Sequence, residues 1–122
     1  MITMQYGRGS DTTGSAALDR VDYTSQISLS QGTAHSSMSL VRYGKLVVWN
    51  FAATGVSTTS SYATKATIPA EVAPPSQQIF NAVMNASNGI AQIATDGTLM
   101  LRVVSGSQSN VATRFLAMWV LE

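Results

Sequence analysis

Residues 42–55 read RYGKLVVWNFAATG. Successive side chains of an extended chain point to opposite faces. Val47, Trp49 and Phe51 therefore share one face, while Leu46, Val48 and Ala52 share the other, broken only by Asn50. A strand at the surface of a small antiparallel domain normally shows water one polar face, and this one offers almost none. The closing stretch, TRFLAMWVL at 113–121, repeats the pattern. Phe115, Ala117, Trp119 and Leu121 fall on one side, and Leu116, Met118 and Val120 on the other. A two-layer sandwich buries one face of each sheet, so the second face calls for another cover. A further copy of the same chain is the simplest cover, and closed symmetry makes a trimer or other ring a natural arrangement. On this reading Val47, Trp49, Phe51, Phe115 and Trp119 form the trimer interface.

Short β-like runs extend in both directions from these two stretches. Tyr43-Gly44-Lys45 joins SMSLVRY (37–43) to KLVVWNFAAT (45–54) as a hairpin. SQISLS (25–30) and YATKATI (62–68) alternate. QIFNAVMNA (78–86) is closed by Asn88-Gly89. GIAQIAT (89–95) and TLMLRVV (98–104) flank Asp96-Gly97, the strongest hairpin signal in the chain. GVSTTSS (55–61) and SGSQSN (105–110) read as polar loops. PAEVAPPSQ (69–77) contains three prolines, which remove donors and rule out a central strand, so it reads as an ordered surface crossing. No helical periodicity survives beyond one turn. The expected fold is all-β: an antiparallel, jelly-roll-like β-sandwich of about eight strands. Residues 23–122 form the head domain. Residues 1–22, rich in Gly, Ser and Asp, read as a connecting arm with a β-like piece at ITMQY (2–6) and one helical turn at ALDRVD (17–22).

The composition narrows the function. Charged residues make up 11% of the 122 positions, against about 25% in ordinary soluble domains. Few charges leave little protection against association. The seven basic residues are scattered and the net charge is +1, so no electrostatic footprint for nucleic acid is present. No apolar stretch has the length of a membrane span. Cysteine is absent and His35 is the single histidine, which leaves no thiolate chemistry and few metal ligands. No nucleophile-elbow spacing surrounds any serine. Glu71 and Asp96 are the only carboxylates of the folded part that could be paired for glycoside hydrolysis, and nothing in the sequence places them together. The expectation is a non-enzymatic protein with neither cofactor nor metal. Tyr43 and Tyr62 stand at strand ends beside polar loops. A ring that packs on the C–H face of a sugar, with polar groups around it for the hydroxyls, is the usual form of a saccharide site.

LVRYGKLVVWNFAATG, then ATKATIPAEVAPP, then IATDGTLML and the aromatic-rich close RFLAMWVL occur in an order that resembles the C-terminal head domains of bacteriophage tail-fibre and baseplate receptor-binding proteins of the Gram-positive phage type. The matching positions are Arg42, Gly44, Val47, Ile68, Pro69, Pro74, Ile93, Asp96 and Gly97, within residues 38–121. The chain departs from that pattern at AEVA (70–73), where such domains carry Gly and an aromatic. The resemblance implies a trimeric β-sandwich head at the distal tip of a virion tail. It would bind host cell-wall glycan reversibly, with the N-terminal arm joined to other tail or baseplate proteins. Saccharide contacts are expected from His35, Tyr43, Tyr62, Asn81, Arg102 and Arg114, near the loops GVSTTSSY (55–62) and SGSQSN (105–110). Two other roles fit the same architecture: a structural trimerising tip without ligand, and a C1q- or tumour-necrosis-factor-like trimeric binding domain.

Overall fold

The computed structural model describes residues 19–122; the β-like piece at 2–6 lies outside them. Ten strands form one antiparallel sheet among the described residues. They are β1 (Arg20–Asp22), β2 (Ser28–Leu29), β3 (Thr33–Ala34), β4 (Ser39–Tyr43), β5 (Leu46–Thr58), β6 (Ala63–Thr67), β7 (Gln78–Met84), β8 (Ser87–Ile93), β9 (Thr98–Val103) and β10 (Gln108–Val120). The order across the sheet is β1-β4-β5-β10-β7-β8-β9-β6-β2, with β3 added to β5. The sheet curls back on itself. Ser28 and Leu29 pair with β6, and a few residues later Thr33 and Ala34 pair with β5. This short segment draws the far edge of the sheet back to its middle. The fold is thus all-β and sandwich-like, as the turn spacing predicts.

The inner face holds the core. Leu40 of β4, Trp49 of β5 and Ala117 of β10 stand opposite one another, and all three are fully buried. Trp49 meets Phe51 and Phe115 edge-on at 5.7 and 5.5 Å between ring centroids, and Phe51 stacks on Phe115 at 4.9 Å. Such aromatic pairs contribute about 0.5–1.5 kcal/mol beyond the area they bury. Trp119 Nε1 donates to the Val72 carbonyl at 2.9 Å. Val72 belongs to a 3-10 turn, Ala70–Val72, and is fully buried with Ala73 behind it. The proline-rich crossing is therefore a plug that seals one end of the core as well as a surface segment.

This arrangement corrects the assignment of the trimer interface. Val47, Trp49, Phe51, Phe115 and Trp119 are each at most 5% exposed within a single chain. They face their own core, and no partner can reach them. Other boundaries also move. Arg20–Asp22, read as the end of a helical turn, is a strand paired with β4. Residues 24–30 hold a 3-10 turn, Thr24–Gln26, and only two strand residues. Asn88-Gly89 lies inside β8, and the β7–β8 turn falls instead at Asn85, whose φ is 59°. The β5 and β10 strands run deeper into the polar loops than expected, to Thr58 and from Gln108.

The Asp96-Gly97 turn forms as expected. Asp96 Oδ1 accepts from the Thr98 amide at 2.9 Å. That bond, with the Thr98 hydroxyl, holds the Asp96 carboxyl below its ordinary value of 3.8. Asp22 is lowered in the same way by Thr24. A depressed carboxylate contributes stability above its unfolded value and loses it as pH falls through the folded value. Acid unfolding should therefore steepen below about pH 4. Asp96→Asn keeps the acceptor but cannot titrate, so its stability, followed by denaturant melts against pH, should fall less steeply over that range.

Thr113 is fully buried on β10, and its hydroxyl has no hydrogen-bond partner among the described residues. An unsatisfied buried hydroxyl costs about 1–3 kcal/mol. Thr113→Val, nearly the same in shape, is expected to raise the unfolding free energy by about 1 kcal/mol in equilibrium denaturation.

Candidate functional site

The closing segment of the sheet also builds a cleft. At Gly32 the chain passes so close to β5 that a Cβ would collide with the Thr54 carbonyl, and φ there is +83°. Only glycine fits both conditions. Its neighbour Gln31 is thereby held between β5 and β6. Gln31 Oε1 accepts from the Ser57 amide of β5 at 2.9 Å and from Lys65 Nζ of β6 at 3.0 Å. Opposite, the β5–β10 pairing is irregular between Gln108 and Thr113. Extra residues in one strand bend and twist it and re-aim its side chains. Gly55 and Asn110, with φ of +75° and +56°, absorb that bend. The Asn110 amide donates to Ser57 Oγ at 2.9 Å, and Gln108 Nε2 donates to Ser87 Oγ at 2.8 Å.

The result is an open cleft of about 300 Å³. Its lining includes Gln31, Ser57, Thr59, Lys65, Gln108 and Ser109. Both polar loops singled out in the sequence contribute to it. Hydroxyls and carboxamides supply donors and acceptors around its wall. Lys65 supplies one positive charge, and no carboxylate among the described residues lines the cleft to neutralise it. Beside the rim, Tyr62 immediately precedes Ala63 of the lining, and the Arg102 guanidinium lies 5.3 Å from the Tyr62 ring centroid.

The six expected contact residues do not converge on one point. Tyr62 and Arg102 form the pair just described. Asn81 is on the same outer row, separated from Arg102 by Ile90 of β8. It borders a second cleft of about 290 Å³ with Val83, Asn88 and Val104. Arg114 is exposed on the next row, opposite Val83. His35 sits at the start of the β3–β4 connection. Its amide donates to the Ala52 carbonyl, and its Nδ1 accepts from the Ser37 amide at 3.1 Å. These bonds give His35 a turn-forming role. Tyr43 lies at the far end of the sheet, with Arg20 6.0 Å from its ring centroid.

Gln31, Lys65 and Gln108 were not anticipated. Lys65 looks in sequence like any polar residue on the wet face of an alternating strand. The one available signal for Gln31 is the glycine that follows it. No protein-family model matches the chain, and comparison with curated proteins finds no match.

Gln31 holds two donors with one oxygen. Gln31→Ala leaves the half-buried Ser57 amide and Lys65 without that acceptor and frees the segment that closes the sheet. The expected loss is about 1–2 kcal/mol in chemical denaturation, with faster amide exchange confined to Ser57 and residues 28–34 as the local signature.

Proposed function

We propose that the chain is a non-enzymatic receptor-binding head of the bacteriophage tail type, which recognises host cell-wall saccharide in the cleft between the two polar loops. The observation that carries this reading is the lining itself: hydroxyls, carboxamides and one lysine around an open cleft, with a tyrosine and an arginine beside its rim. Saccharide recognition uses such groups, because each sugar hydroxyl can both donate and accept while the ring's C–H face packs on an aromatic. The scaffold suits the task. Ser57, Lys65 and Gln108 hang from paired strands and, with Gln31, are fixed by hydrogen bonds to their neighbours, so little ordering of these side chains is left for the ligand to impose. Single clefts of this size bind weakly, and several copies on one particle raise the avidity. In this reading the head sits at the distal tail of a virion, and the residues that precede β1 connect it to other tail or baseplate proteins.

The test is binding of the purified chain to intact Gram-positive cells and to their isolated wall polysaccharides. Lys65→Ala and Gln108→Ala should each weaken binding about tenfold. Tyr62→Ala should weaken it less while leaving the fold intact by tryptophan fluorescence. Binding that survives both cleft substitutions would remove the cleft from the reading, and absence of binding to any wall saccharide would remove the adhesin itself.

A further inference from the structure

The cleft of Lys65 does not end at its own wall. A smaller cleft of about 200 Å³, lined by Ser87, Asn88, Val103, Val104 and Ser105, adjoins it. The two meet at one hydrogen bond: Gln108 of the first donates from Nε2 to Ser87 Oγ of the second at 2.8 Å. The β9–β10 connection straddles this divider, with Val104 and Ser105 on one side and Ser107 on the other. Its crest carries only Ser105, Gly106 and Ser107. A side chain at Gly106 would have nothing within 4 Å of its Cβ, so the crossing is open. Beyond it, Asn88 and Val104 also line the 290 Å³ cleft on the outer face of β7, β8 and β9. Each cleft therefore shares a boundary with the next.

We propose that the three clefts are one track, and that its ligand is a linear oligosaccharide laid from the Lys65 cleft over the Gln108–Ser87 bond onto the outer face of β8, with uncharged units at the far end. This rests on the saccharide reading above and adds chain length and the chemistry of the distal units to it. Taken singly, the clefts, at about 300, 200 and 290 Å³, stand at or below the lower end of ordinary ligand sites, about 300–1,000 Å³. Joined, they fall well inside that range. The divider is itself a place to bind. Ser87 Oγ accepts from Gln108 and keeps its own hydrogen to donate, so a ligand that crosses there meets a fixed polar group. The lining also changes along the track. Lys65 charges the first cleft, whereas no charged side chain among the described residues lines the other two. On the outer face Val83 stands opposite Asn88, and Asn81 opposite Ile90. Carboxamides thus alternate with aliphatic side chains from strand to strand. An uncharged sugar unit calls for both, because its hydroxyls need hydrogen bonds and its C–H faces need apolar contact.

Titration calorimetry of the full chain decides this, with size-fractionated fragments of Gram-positive wall polysaccharide as the probe, from single sugars to long oligomers. Affinity should climb with fragment length until the track is filled, then level off. Asn88→Ala and Val104→Asp change exposed side chains and should leave circular dichroism unchanged. Each should weaken long fragments about tenfold and leave single sugars as they were, whereas Lys65→Ala should weaken both. In amide NMR spectra, single sugars should shift Ser57 and Lys65, and long fragments Asn88 and Ile90 as well. Equal affinity for single sugars and long fragments overturns the inference. So does a gain with length that neither Asn88→Ala nor Val104→Asp reduces, because bridging between heads then accounts for it. Either result leaves the saccharide reading standing. Absence of binding to every fragment removes that reading and the track with it.

Discussion

The register between β5 and β10 is the constraint on which the rest of the molecule depends. Trp49 stands opposite Ala117, and Phe51 opposite Phe115. The small alanine leaves room for the indole, and the two phenyl rings stack across the strands. A slip of one residue would turn this cluster outward and bring Leu116, Met118 and Val120 in. Both sets are apolar, so hydrophobicity alone does not decide between them. Shape decides: the aromatic set interlocks with itself, with Leu40 and with the Val72 plug, while the aliphatic set is a flat row. The same register fixes the far end of the ribbon, where the irregular stretch between Gln108 and Thr113 bends the pair and opens the cleft.

Much of the fold was legible because turns announce themselves. Gly44 takes a φ of 60° between β4 and β5, and Asp96-Gly97 forms the β8–β9 turn with the Thr98 amide bonded to the aspartate. Both follow from residue type at a known spacing. The β7–β8 turn was misplaced because Asn85-Ala86 and Asn88-Gly89 compete within five residues. Gly89 is needed inside the strand, where a Cβ would come within 2.8 Å of Met84 Cε and 3.0 Å of the Arg102 carbonyl. Local signals cannot separate a glycine kept for a turn from one kept for a close approach. SQISLS was read as one β-like run, of which only Ser28 and Leu29 pair, and Thr33–Ala34 escaped notice for a related reason. The two strands are short and split between two partners, so their pairing is a property of the closed sheet and not of their own sequence.

The candidate cleft was half legible. Its two loops were visible as Ser/Thr-rich segments, because such segments cannot fill a core. The residues that hold the loops together were not. Gln31 and Lys65 are 34 positions apart in sequence, and no spacing rule links them. The aromatic residues were misassigned for the opposite reason. A doubly apolar strand was read as needing a partner on each side, and the more conspicuous face, with its tryptophans and phenylalanines, was given to that partner. Large rings bury the most area, and a small domain needs them for itself.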